Sequence, residues 1–198
     1  MEDANKLRLM LFFMIFYLLV FTFISVIEGN YEFIFYSINM TIILVLIGMY
    51  RNEISLSVPL AVGFVVMVIL HTFGGFIHLH GTRLYDYWLI PNILKYDNVS
   101  HFIGAFITSF VAYNLLLFHF DKKKKLKNII LIFLILTISL GIHSINEILE
   151  FMAVVFLGAS NAVGGYYNNS LDLVFNFLGA FFGGLIILYY YTKKGNSK

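Results

Sequence analysis

Six apolar runs divide this chain, at about 9–27, 33–50, 58–79, 101–120, 128–157 and 171–191. A helix needs about 20 residues at 1.5 Å rise to cross the hydrocarbon core of a bilayer. In lipid every backbone N–H and C=O must also find its partner within the structure, which leaves helices and closed barrels as the spanning forms. Runs of this length predict an all-α fold: a polytopic bundle of about six transmembrane helices forming a single integral membrane domain over residues 1–198. Composition agrees. Of 198 residues 60% are hydrophobic and 12% charged, against roughly 25% charged in an ordinary soluble domain. There is no cysteine, so disulfide and thiol chemistry are excluded.

Orientation follows from the basic residues, which collect on the cytoplasmic side of membrane proteins. Lys6, Arg8, Arg51, the run Lys122 to Lys125, Lys127, Lys193, Lys194 and Lys198 fall on one side of an alternating six-span path; only Arg83 and Lys95 fall on the other. Both termini are therefore expected in the cytoplasm, with the 28–32, 81–100 and 158–170 segments facing out. The first run follows a mixed-charge segment and has no small-residue cleavage site after it, so it is expected to be a span and not a removed signal. Ser57 and Pro59 mark the start of the third helix. The fifth run, at about 30 residues or roughly 45 Å, is expected to tilt, to bend near Gly141 or to project beyond the lipid.

The ionisable residues of the later spans collect at one end. Asp97 and His101 are four apart, so a helix starting near 97 sets both on one face, where a carboxylate can fix the tautomer of an imidazole and raise its basicity. His143, Glu147 and Glu150 form an i, i+4, i+7 stripe on an otherwise apolar helix. Crowded carboxylates share a proton or hold a divalent cation through oxygen ligands. Asp172, Asn176, Gly179 and Gly183 follow i, i+4, i+7, i+11 on one face. The upper pair offers an acid and an amide to the interior, and Gly179-x-x-x-Gly183 predicts a tight helix contact. In the third span His71 and His78 are expected to share a face, with Gly74 and Gly75 admitting a neighbouring helix. Asn98-Val-Ser100 and Asn168-Asn-Ser170 match glycosylation acceptors.

Asp97-x-x-x-His101-Phe102, Glu147-x-x-Glu150, Asp172 with Asn176 and Gly179-Ala180, and the His71-Thr-Phe-Gly-Gly ending of the third span together resemble the VanZ-like membrane proteins, and more closely their YjdF-like branch. The resemblance covers roughly residues 70–185. It departs at Asn98, where VanZ-like chains often carry a basic residue, and at the turn Gly164 to Asn169, where many carry an arginine or a Gly-Asp. VanZ-like proteins are linked to glycopeptide resistance. The resemblance implies chemistry on lipid head groups or lipid-linked intermediates.

Charged side chains at membrane depth are costly and mark working sites. The expected function is a membrane-embedded enzyme acting on a phospholipid or lipid-linked head group at the outer leaflet, with hydrolase or transferase chemistry. His101 would be base or nucleophile, oriented by Asp97, with Glu147 and Glu150 in acid–base roles or on a divalent cation. Asp172, Asn176, His71, His78, His143 and Arg83 would bind substrate, Arg83 as the phosphate contact. Membrane lipids are the expected partners and nucleic acid is not. A proton- or cation-coupled transporter and a non-enzymatic lipid- or drug-binding factor are the other readings. A relay should carry charged groups through the midplane, yet 9–20, 105–118, 128–140 and 180–190 contain no acidic or basic residue.

Overall fold

Apolar helices need defined ends, and the computed structural model supplies them at the residues best suited to the task. It describes residues 2–120, 126–158 and 165–195. The lysine run at 122–125, Gly164 and Lys198 lie outside these, so the partition of basic residues is a reading of sequence alone. Six long helices run through the described residues: α1 (Glu2–Glu28), α2 (Tyr31–Met49), α3 (Val58–Phe76), α4 (Tyr96–His119), α5 (Asn128–Leu157) and α6 (Tyr166–Gly195). Asn30 caps α2, its side chain accepting from the Phe33 N–H at 3.0 Å, as a short polar side chain at that position should. Ser57 precedes α3 with Pro59 in the first turn, where a missing N–H costs nothing. Gly158 ends α5 in the left-handed conformation (φ 68°), which glycine adopts without penalty.

Among the described residues five helices are long and apolar enough to cross a membrane, and α2 matches α3 in length. Its 19 residues give about 28 Å. The expected bend near Gly141 does not interrupt α5, which is one helix of 30 residues. Hydroxyls within the spans turn back on their own helices: Thr22 donates to Leu18 O, Thr41 to Ser37 O and Thr137 to Phe133 O, each at 2.7–2.8 Å. Phe12, Phe16, Leu19 and Phe23 stand exposed along α1, a surface suited to lipid and a liability in water.

The helices pack in two groups joined through α4. Helices α1, α2 and α3 share a core of Met14, Leu18, Leu44, Leu60, Phe64 and Val68, which Ile107 of α4 completes. Helices α4, α5 and α6 share a second, of Ala112, Leu116, Leu131, Ile135 and Ile187. Helix α4 lies most closely on α6, because a Cβ at Gly179 would overlap the Phe102 backbone and one at Gly183 would overlap the Ser109 hydroxyl. The expected glycine contact is thus present.

The all-α expectation omits two small hairpins between α3 and α4. Strand β1 (His78–Leu79) pairs with β2 (Thr82–Arg83), and β3 (Trp88–Ile90) with β4 (Leu94–Lys95). His80 and Gly81 both have positive φ (52° and 81°), the geometry of a two-residue hairpin turn. Three expectations for α3 and its surroundings are corrected here. The helix stops at Phe76 and not at 79, so His78 leaves the helical face of His71 and sits exposed on β1, its Nδ1 3.1 Å from Phe76 O. Gly74 and Gly75 admit aromatic rings and not a helix backbone: Tyr85 lies over the first and Phe33 over the second. Helix α4 starts at Tyr96 and α6 at Tyr166, each about one turn or more before the apolar run, which draws the polar residues preceding the runs into helix.

Candidate functional site

Three helix segments place the polar cluster. Asn98 turns its side-chain oxygen onto the Lys95 backbone N–H at 2.8 Å, fixing the first turn of α4. Asp97 therefore lies in that turn, where the helix N-terminus favours a carboxylate. One turn further, His101 Nε2 is 3.6 Å from Asp97 Oδ1, the neighbour relation that the four-residue spacing predicts. Helix α6 brings Asp172 Oδ1 to 3.8 Å from the same Nε2. Helix α5 brings Glu147 Oε1 to 3.5 Å from Nδ1 on the other side of the ring. Asn176 of α6 completes that side, its Oδ1 accepting from Nδ1 at 3.3 Å and its Nδ2 donating to Glu147 Oε1 at 3.5 Å.

His101 is thus surrounded by carboxylates from three helices, and it is deeply buried, with 7% of its side chain exposed. Asp172 is fully buried, Glu147 is 14% exposed and Asp97 21%. Among the described residues the ion-pair contacts of these carboxylates run to His101 alone. Buried charges without counter-charge are strongly unfavourable, so the arrangement calls for protons or a cation. Glu147 Oε2 is buried without a hydrogen-bond partner. One ligand atom from each of Asp97, His101 and Asp172 lies within 4.8 Å of the others.

Two amides that sequence reasoning did not select hold the acids in place. Asn98 Nδ2 donates to Asp172 Oδ1 at 2.7 Å, and Asn168 Nδ2 to Asp172 Oδ2 at 2.9 Å. Asn168 Oδ1 accepts from Lys95 Nζ at 2.7 Å, and that ammonium lies 5.1 Å from the centre of the Trp88 ring. Both amides stand in tripeptides that match glycosylation acceptors. They are buried and bonded to Asp172, so neither can carry a glycan in this fold. The signal for Asn168 was present: 168, 172 and 176 are an i, i+4, i+8 stripe, which the match to a modification motif concealed.

The remaining predicted residues lie beside the cluster or apart from it. His143 is buried next to His101, with ring centres 6.5 Å apart and Nε2 3.4 Å from Thr108 Oγ1. Glu150 accepts from Asn146 Nδ2 at 2.7 Å within its own helix. His71 belongs to a neighbouring aromatic group, stacked on Phe33 and hydrogen-bonded through Nδ1 to the Tyr85 hydroxyl, while its Nε2 has no partner. Burial pushes that hydroxyl well above its usual range, and the charges of Asp97 and Glu150 add to the rise. Tyr85 therefore keeps its proton and can donate to Nδ1. Tyr85 comes from the connection between the hairpins, so that connection folds onto the polar end of the bundle. Arg83 pairs with Asp86 at 3.0 Å. His78, exposed on β1, makes its described contact to Phe76 O and none to the cluster among the described residues.

The family of predicted membrane proteins designated DUF2238 matches residues 9–194. The chain belongs to this family. Membership agrees with the helices described above, and a member of this family with five described helices long and apolar enough to cross a membrane is a multi-pass membrane protein. No curated protein and no solved structure matches the chain.

Proposed function

We propose that this protein is a membrane-embedded enzyme acting on the head group of a phospholipid or lipid-linked substrate, working as one membrane domain over residues 1–198 with its polar end toward the outer leaflet. The observation that carries the reading is the position of His101, buried between Asp97, Glu147 and Asp172 from three helices. An imidazole with a carboxylate on each side is suited to moving a proton at a reacting oxygen. Glu147, partly exposed, is the second acid–base group, and Asp172 and Asn176 fix the geometry. The VanZ-like and YjdF-like resemblance of Asp97 to Phe102 and of Glu147 to Glu150 supports lipid-linked chemistry, and the excess of basic residues on the other side supports the orientation.

Proton or cation transport is the weaker reading. Below the cluster the polar groups of α4 and α5 close on the backbone: Thr108 donates to Gly104 O at 2.8 Å, Ser109 to Phe106 O at 2.6 Å and Ser139 to Ala105 O at 3.1 Å. Beyond them lies the apolar core of Leu116, Leu131, Ile135 and Ile187. A relay needs a continuing path of exchangeable groups, and this one ends within about a turn of His143.

The test is lipid mass spectrometry on native membrane lipid extract incubated with wild-type protein or with an Asp97→Asn/His101→Ala variant. The expected result is a lipid species converted by the wild type only. If folded wild-type protein leaves every lipid unchanged, with and without added divalent cations, the enzyme reading is lost and ion flux in liposomes becomes the next measurement.

A further inference from the structure

We propose that Asp97, His101 and Asp172 bind a divalent transition-metal cation of the Mn²⁺ or Zn²⁺ type at the polar end of α4 and α6. The geometry is that of a prepared site. Donors sharing an ion at about 2.1 Å stand roughly 3.0–3.4 Å apart. His101 Nε2 stands 3.6 Å from Asp97 Oδ1 and 3.8 Å from Asp172 Oδ1, and one donor atom from each of the three residues lies within 4.8 Å of the others, so holding an ion requires the two carboxylates to draw in toward the imidazole.

The hydrogen bonds on the far side of the ring supply the second observation. His101 is more than nine-tenths buried. Its Nδ1 faces the Asn176 and Glu147 oxygens at 3.3 and 3.5 Å, so the ring N–H belongs there. That leaves the Nε2 lone pair aimed between two carboxylate oxygens, beyond hydrogen-bond distance of both. A lone pair facing two anionic oxygens is repulsive unless a cation, or a second proton on the ring, sits among them. The supporting contacts match those of metal sites, where a carboxylate or carbonyl orients the ligating imidazole and the ligating carboxylates are themselves hydrogen-bonded. Glu147 and Asn176 do the first, and Asn98 and Asn168 do the second for Asp172.

The donor set selects the class of ion. One imidazole nitrogen with carboxylate oxygens suits Mn²⁺, Fe²⁺ or Zn²⁺ better than Ca²⁺, which takes six to eight oxygens. Three protein ligands leave coordination positions for water or a substrate oxygen. An ion here would also reconcile the acidic cluster with an anionic head group. Arg83, the expected phosphate contact, is engaged by Asp86, so the positive charge must come from elsewhere. Only that last step rests on the proposed function; metal binding stands or falls independently of lipid turnover.

The experiment uses the full chain in detergent, stripped with a chelator and titrated with Mn²⁺ alone. Electron paramagnetic resonance counts free ion, and pulsed measurements on the bound ion read hyperfine coupling to imidazole nitrogen. The expected result is one ion per chain with a nitrogen coupling, displaced by Zn²⁺, and at least a ten-fold loss of affinity in Asp172→Asn and in Asp97→Asn, the latter altering the most exposed ligand. His78→Ala, away from the cluster, should leave affinity unchanged. The proposal is overturned if folded wild-type protein binds neither Mn²⁺ nor Zn²⁺ at millimolar free ion, the outcome expected if a proton on Nε2 does the work of the cation. It is equally overturned if bound Mn²⁺ shows no nitrogen coupling.

Discussion

The two ends of α4, α5 and α6 are built from the same helices at the same contacts, yet they have opposite chemistry. At one end Ala112, Leu116, Leu131, Ile135 and Ile187 form an apolar core. At the other, His101, Glu147, Asp172 and Asn176 fill the same inter-helix space with groups that are expensive to remove from water. Lipid tails are as apolar as leucine, so helix association here depends on close packing and not on expulsion of apolar surface from water. Gly179 against Phe102 and Gly183 against Ser109 supply that packing between the two ends. The apolar end and the glycine seam hold a geometry that the charged end by itself would oppose.

That contrast can be broken at several points. The largest effect is expected at the seam. Gly179→Leu places a side chain in the Phe102 backbone, which cannot move aside without separating α4 from α6, so overpacking should exceed the usual ~1–3 kcal/mol and leave no folded protein after detergent extraction, as read by size-exclusion chromatography. Next comes Ile135→Ala, which empties a fully buried site in the apolar core. It should cost about 2–4 kcal/mol, seen as a lowered melting temperature, while the folded fraction keeps its ion affinity. Asp172→Asn should differ from it in function. Its new NH2 must face the Asn98 or the Asn168 amide donor, so stability should fall by about 1–3 kcal/mol, but here the folded fraction loses ion binding and lipid conversion.

Two smaller changes sharpen the comparison. Asn168→Ala removes an amide that orients Asp172 without touching His101, and should weaken ion binding by roughly ten-fold, the lower end of what such supporting contacts contribute. Lys95→Ala removes the ammonium that holds the Asn168 oxygen and faces Trp88. Its partly exposed position makes an effect of about 0.5–1 kcal/mol on stability the expectation, with ion affinity shifted less than in Asn168→Ala.

Much of this was legible in the sequence because membrane burial removes alternatives. A run of 20 apolar residues has one regular form in lipid, so the helices were readable, as were the pairing of Asp97 with His101 and the glycine contact of Gly179 and Gly183. What escaped was set by short connections and by polar residues with two plausible uses. The hairpins around His80-Gly81 and Asn92 consist of strands of two or three residues, too short to show any alternation, and they move His78 out of α3. Asn98 and Asn168 fit a surface modification motif as well as a buried amide, and spacing alone could not choose until α6 was seen to start at Tyr166. Tyr85 looked like one aromatic among many, because its link to His71 joins positions 14 apart through a turn no periodicity encodes.

The central claim is that the charged end serves function while the apolar end and the glycine seam serve the fold. The most direct measurement is paired: melting temperature and lipid conversion in the same preparations of wild type, Ile135→Ala and Asp97→Asn/His101→Ala. The account predicts that the core variant melts lower but still converts lipid when folded, whereas the folded fraction of the cluster variant converts none, even if loss of His101 beside Glu147 and Asp172 lowers its melting temperature as well. A cluster variant that unfolds like the core variant while its folded fraction converts lipid at the wild-type rate would contradict it.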